Sequence, residues 1–167
     1  MQLRPNMLGF YCDSINTHIT GTAMLHIINN LQDELLKLIK DDPVRPEIPV
    51  EDRVNSNSQI FVLKNEQNEP IAVTCVKFLA EIPESVTDLA HTVVNTNTAV
   101  FYTIWSYAQG AGRELITQAR TQIEQDHPEV KTFVTLSPKT EMAQRFHHKN
   151  GAVTFRENAD SVNYLYR

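Results

Sequence analysis

Apolar positions recur along this chain with two periods, and polar or Gly/Pro-containing stretches separate them. Met24, Ile28, Leu31, Leu35 and Leu38 fall at three- and four-residue steps, with Asn30, Asp33, Glu34 and Lys37 between them. That spacing predicts an amphipathic helix over 24–39. Asp41-Asp42-Pro43 ends it, and the prolines from Pro43 to Pro49 predict a loop within one domain. Short apolar runs at 59–63 and 71–79 flank a polar turn at 65–70, which predicts an antiparallel hairpin. Pro83-Glu84-Ser85 opens a short helix through Leu89, with proline early, where its missing N–H does little harm. A third apolar strand spans 99–105. Gly110-Ala111-Gly112 follows, then a helix over 113–125 with Leu115, Ile116, Ala119 and Ile123 on one face. A strand at 132–136, a helix at 140–148 and strands at 152–155 and 162–166 complete the pattern. Strands that alternate with helices after a hairpin predict a mixed α/β sheet, and no internal repeat interrupts it.

Composition narrows the function without naming it. The 167 residues suit a single domain over 1–167 with one sizeable core. Hydrophobic residues make up 41% and charged residues 21%, as in ordinary globular proteins. The net charge of −5 and the dispersed Lys and Arg argue against nucleic acid as a partner, because phosphate neutralisation needs a basic face. No apolar run approaches the roughly 20 residues that span a bilayer. The start, Met1-Gln2-Leu3-Arg4-Pro5-Asn6, lacks the apolar core of a signal peptide. Cys12 and Cys75 are isolated, without metal-ligand spacing, so a cytoplasmic protein with reduced thiols and no metal is expected.

Two segments carry candidate chemistry. Gly110-Ala111-Gly112 lies between a predicted strand and a predicted helix, where the first helical amides are unpaired and the positive end of the macrodipole sits behind them. Such a turn can hold a pyrophosphate, or it can simply be a tight turn. The second segment, Thr132-Phe133-Val134-Thr135-Leu136-Ser137-Pro138, delivers a serine at the end of a strand, and His147-His148 follows one helix later. Taken alone, Ser137 reads first as a turn or helix-cap residue, and His147 as a surface residue near a helix C-terminus. Tyr164 in the last strand reads as packing.

Together these stretches resemble a known family. Tyr107-Ala108-Gln109-Gly110-Ala111-Gly112-Arg113-Glu114 resembles the acyl-CoA pyrophosphate loop of the GNAT (N-acetyltransferase-like) superfamily, with Tyr107 where Gln or Arg is usual. Within that superfamily, Phe101-Tyr102-Thr103-Ile104 is similar to the FYSI strand of malonyl-CoA decarboxylases. The run from Pro128 to Pro138 is similar to their P-x-L-K-T-F-x-T-L-S-P segment. Arg145-Phe146-His147-His148-Lys149-Asn150-Gly151-Ala152 resembles their R-F-H-L-x-N-G-A, and Asn163-Tyr164-Leu165-Tyr166 their closing N-Y-x-Y. The matches occur in order over most of the chain.

The resemblance implies an α/β (α+β) fold with a GNAT-like mixed, mostly antiparallel sheet flanked by helices. It implies a coenzyme A thioester as substrate, held by Tyr102, Ile104, Gln109, Gly110, Ala111, Gly112 and Arg113. It places Ser137, His147 and Tyr164 at the acyl group, with His148 at an apolar position of the motif. Ser137 would then donate a hydrogen bond to the thioester oxygen, and His147 would act as acid/base or position the carboxylate. The family's members are longer, with an N-terminal helical domain and a long insertion between serine and histidine; here nine residues separate them. A compact, open pocket also suits acyl transfer from CoA to a small amine, with Tyr164 or Tyr166 protonating the leaving thiolate. A non-catalytic CoA-binding module is the third expectation.

Overall fold

The computed structural model describes residues 23–91 and 93–167. Expectations for Met1 to Asn6 and for Cys12 lie outside those residues. The strands are β1 (Met24–Ile28), β2 (Ser58–Lys64), β3 (Pro70–Leu79), β4 (Thr98–Ser106), β5 (Thr132–Thr135), β6 (Ala152–Glu157) and β7 (Val162–Tyr166). Helix α1 (Ala111–Asp126) links β4 to β5, and α2 (Glu141–Lys149) links β5 to β6. The sheet order is β1-β2-β3-β4-β5-β7-β6. Every pairing is antiparallel except β4 with β5, which is parallel and needs the α1 crossover. The fold class read from the sequence is thus the one observed.

β4 sits mid-sheet, and all nine of its residues are buried, as a strand covered on both faces requires. On one face, α1 lays Leu115, Ile116, Ala119 and Ile123 against Phe61, Phe78, Phe101 and Phe133, joined by Phe146 of α2. Full burial of each such Leu or Ile contributes about 1.5–3 kcal/mol. On the other face, Leu38, Ile39 and Leu89 cover Ile60, Val62, Val73, Val100 and Leu136.

The predicted helix over 24–39 is not formed. β1 occupies its first part and pairs with Lys64 to Ile60 of β2. A 3-10 turn, Glu34–Asp41, occupies the second. The periodic stripe also fails to match burial, since Met24 and Leu31 are largely exposed. Three local effects defeat the helix. Ile27 and Ile28 are β-branched and fit the open edge of β2. The Asn30 side chain accepts the Gln32 N–H, which stabilises a turn. Asp33 then caps a new element through the Leu35 N–H. The other elements stand within about two residues of their expected bounds, and α1 starts at Ala111 rather than Arg113. The short helix after Pro83 is a 3-10 turn, Val86–Ala90, closed by a Ser85–Asp88 capping box.

Two irregularities shape the middle of the sheet. The β3–β4 register shifts between Cys75, opposite Thr103, and Val76, opposite Phe101, so Tyr102 is an extra residue in β4. Such a bulge bends the strand and re-aims side chains. Tyr102 packs in the same core cluster as Val100 and Leu136, and Thr103 donates to Asp42, which precedes the loop on that face. The second irregularity is a splay. β5 pairs with β4 only from Thr98 to Phe101, and the last link is the Leu136 N–H to the Phe101 carbonyl at 3.1 Å. Beyond it β4 runs on to Ser106, while Ser137 turns away to bridge Val162 of β7.

Candidate functional site

The splay leaves one edge of β4 unpaired beyond Phe101, and peptide groups on such an edge need a partner. Ser137 enters this opening because alternation along β5 continues past its last pair. Phe133, Thr135 and Ser137 share the helix face, while Val134 and Leu136 point to the other. His147 reaches the same place from α2. Thr140 caps that helix through the Ala143 N–H at 3.2 Å, and Phe146 anchors it in the core.

Ser137 and His147 do converge. Their Oγ and Nε2 atoms lie 3.2 Å apart, and both residues are buried. Ser137 also donates to Thr135 Oγ1 at 2.8 Å, which accepts the Tyr164 N–H as well. On the other side of the ring, His147 Nδ1 meets the Tyr166 hydroxyl at 2.7 Å. A continuous chain therefore runs Tyr166–His147–Ser137–Thr135. With Ser137 donating to Thr135, the chain is satisfied when Nε2–H donates to Ser137 and Nδ1 accepts from Tyr166; the other imidazole tautomer reverses both histidine bonds. Burial, aided by the nearby His148, pushes the His147 imidazole down to about 3, so it is neutral near pH 7.

Tyr164 is buried against His147, with ring centroids 5.0 Å apart and planes inclined by 27°. It forms the floor under the imidazole, whereas Tyr166, two residues on along the same face, holds the nitrogen. His148 lies apart from the pair and meets Thr154 Oγ1 at 2.8 Å. Asn163 fixes the turn beside Ser137: its amide donates to the Thr135 and Pro83 carbonyls, each at 2.9 Å. Sequence reasoning assigned no role to Thr135 or Asn163. The signal for Thr135 was its two-residue spacing from Ser137.

A small cavity opens beside the pair, lined by Thr103, Ile104, Leu136, Pro138 and Tyr102. Its volume of about 10 Å³ admits at most one water. Two residues of the 42–49 loop narrow it. Val44 lines it, and the Arg45 guanidinium donates to the Leu136 carbonyl at 3.0 Å. That loop is pinned by a buried ion pair between Arg53 Nη1 and Asp42 Oδ2 at 2.6 Å. Arg53 also donates to the Ile48 and Arg45 carbonyls, and Asp42 accepts from Thr103 Oγ1 at 2.7 Å. Cys75, beneath Arg53, is driven up to about 12 by burial, so its thiol stays protonated.

Of the residues expected to hold a CoA thioester, Tyr102 and Ile104 line this cavity. Gln109 to Arg113 lie beyond the end of β4, at the start of α1. Gly110 is the N-cap, with φ 77° in the left-handed region where a side chain is strained. Ala111 and Gly112 are buried in the first turn, and the Gln109 and Arg113 side chains are exposed. The chemistry of this donor set fits a pyrophosphate, because helix-start amides carry the contact without basic side chains. Tyr107, where the loop usually begins with Gln or Arg, turns inward: its hydroxyl donates to Asp41 Oδ2 at 2.8 Å and accepts from Trp105 Nε1. Among the described residues no cluster of three His, Cys, Asp or Glu is placed to bind a metal, and no helix is long and apolar enough to cross a membrane.

No curated protein matches the sequence significantly. Among solved structures, a malonyl-CoA decarboxylase from Cupriavidus metallidurans superposes with a TM-score of 0.68 and 18% identity, covering 86% of this chain and 60% of that one. The GNAT domain of S. lividans PAT gives 0.61 and 11% over 87% and 90%. Arabidopsis thaliana NAA60, in complex with a bisubstrate analogue, gives 0.61 and 15% over 87% and 97%. The chain spans between a third and three fifths of the length of the decarboxylases it resembles. The model of the malonyl-CoA decarboxylase C-terminal domain matches residues 42–165, from the Asp42 that anchors the loop to the strand that carries Tyr164, and this chain belongs to that family.

Proposed function

We propose that the protein is a CoA-thioester enzyme of the malonyl-CoA decarboxylase type, with its acyl site between Ser137 and His147. The observation that carries this reading is the 3.2 Å approach of the two side chains at the splay of β4 and β5. Gly110 to Gly112 would take the pyrophosphate on the amides of α1, and the open edge of β4 at Tyr102 and Ile104 would receive the pantetheine arm.

Loss of carbon dioxide from a malonyl thioester breaks a carbon–carbon bond and leaves an enolate with its charge on the thioester oxygen. Ser137 would stabilise that oxygen by redirecting its hydroxyl from Thr135, an interaction that strengthens as charge develops. His147, neutral through burial, would act through its Nε2–H, as a hydrogen-bond donor to the departing carboxylate, rather than as an imidazolium acid. A proton from solvent water, delivered to the enolate carbon with hydroxide released to bulk, then yields the acetyl thioester. The present cavity is too small for an acyl group, so binding would move the Val44–Arg45 segment away from Leu136.

Incubation with malonyl-CoA, followed by chromatography of the thioesters, tests the reading. The expected product is acetyl-CoA, with one carbon dioxide per turnover; CoA binding without turnover would remove it.

Acyl transfer to an amine is a second reading. It is favoured by the nine-residue link between Ser137 and His147 and by the likeness to NAA60, a structure that holds a bisubstrate analogue. Thioester consumption that depends on an added amine would select it over decarboxylation.

A further inference from the structure

A separate cavity of about 310 Å³ opens on the far face of the sheet, between the 42–49 loop and the Val86–Ala90 turn. Its volume falls at the lower end for small-molecule sites. Ile48 and Leu89 form apolar walls, and Lys77 and Tyr102 lie among its lining residues. Lys77 is only 4% exposed as a residue, but its ammonium is not among the fully enclosed unpaired atoms; it opens on the cavity, and among the described residues no hydrogen bond or ion pair ends on it. Burial lowers its proton affinity, and Asp52 supports the charge only from a distance. The Tyr102 hydroxyl, buried beside Cys75, makes no hydrogen bond of ordinary geometry. Ser58, directly opposite Lys77 on β2 and therefore on the same face, has a buried Oγ without a partner.

Buried polar groups are nearly always paired, and a buried cation above all. Lys77 and Tyr102 line one cavity, with Ser58 behind Lys77 on the neighbouring strand, and donor groups left over there indicate that an acceptor belongs in it. The charge pattern narrows its chemistry. One buried cation balances one carboxylate. The exposed Glu47 and Asp52, which also line the cavity, would repel a phosphate dianion but attract an ammonium.

We propose that this cavity binds a small aminocarboxylate, its carboxylate inward on Lys77 and the Tyr102 hydroxyl, its ammonium outward toward Glu47 and Asp52. Tyr102 also lines the cavity beside Ser137, so the ligand would lie against a wall of the thioester site. The site does not depend on the thioester reading, and its test needs no CoA.

The probes are the ω-amino acids from glycine to 6-aminohexanoate and their amides, titrated into isotopically labelled full chain by NMR. At least one acid is expected to give saturable shifts centred on Lys77, Tyr102 and Leu89, with its amide at least tenfold weaker. Lys77→Met should remove the binding. A second readout covers failure of that variant to fold: in the wild-type protein, the bound acid should raise the pH at which the Lys77 Cε resonance titrates, and the amide should leave it in place. The proposal is overturned by the absence of saturable shifts across the series. It is equally overturned by an amide that binds as tightly as its acid, or by a folded Lys77→Met that binds like wild type.

Discussion

The Tyr166 hydroxyl stands 2.7 Å from Nδ1 of His147, and so couples the last strand of the sheet to the ring that faces Ser137. The tautomer at Nδ1 determines whether Nε2 donates or accepts toward the acyl site. Tyr164 stacks on the same ring, with centroids 5.0 Å apart. The two tyrosines, adjacent on one strand face, thus divide orientation and support between them.

Tyr166→Phe removes the Nδ1 partner while keeping the ring volume. One buried nitrogen is left without its partner, which costs about 1–3 kcal/mol of stability. Imidazole 15N shifts should show a changed tautomer population. The proposed decarboxylation should slow about tenfold in kcat, about 1.4 kcal/mol, with little change in KM, because the tyrosine would act through His147 rather than on substrate. An unchanged nitrogen spectrum would remove the positioning role.

Ser137→Ala deletes the hydroxyl proposed to meet the thioester oxygen. Loss of a single oxyanion donor lowers kcat by about 10²–10³. Binding of CoA itself, measured by calorimetry, should persist because the α1 amides are untouched. Gly110→Ala should do the reverse, weakening CoA binding first, since a Cβ at φ 77° strains the loop by about 1–2 kcal/mol.

Acid should destabilise the fold through His147. The folded imidazole sits at about 3, and an unfolded histidine at its ordinary value near 6.5. Above pH 6.5 both states are neutral and the full stability is present. Below 6.5 the unfolded chain takes up a proton that the folded one cannot hold, so stability falls until the pH nears 3. Between pH 7 and pH 4.5 this residue accounts for about 2–3 kcal/mol. Urea unfolding at the two pH values should show that loss in the wild type and a correspondingly smaller one in His147→Gln; equal losses would contradict the buried neutral ring.

Arg53→Met leaves the Asp42 carboxylate buried without its ion pair, and breaking a buried pair from one side costs about 3–5 kcal/mol. Denaturation midpoints should fall accordingly. Changing Asp42→Asn as well should recover part of the loss. A double variant less stable than the single one would mean that Asp42 matters through Thr103 and the loop amides alone.

Much of this site was legible in the residues because its elements are short and locally specified. Ser137 follows the short apolar strand expected over 132–136, and His147 lies on the helix expected over 140–148. Their meeting was not derivable from spacing, because it depends on the splay between β4 and β5. The Tyr102 bulge that re-aims side chains at that opening has no local sequence mark. The helix expected over 24–39 failed for a related reason: the edge of β2 offered Ile27 and Ile28 a pairing that a periodic pattern cannot register. Lys77 is a charged residue within the apolar run at 71–79, and only the cavity beside it gives its position meaning.

The central claim is that Ser137 and His147 receive the acyl end of a CoA thioester. A crystal structure with a malonyl-CoA analogue that cannot lose carbon dioxide tests it most directly. The account predicts the pyrophosphate on the amides of Gly110 to Gly112 and the thioester oxygen about 2.7–3.1 Å from Ser137 Oγ, with the carboxylate facing His147. An analogue bound with its acyl end away from both residues, or one that does not bind at all, would contradict it.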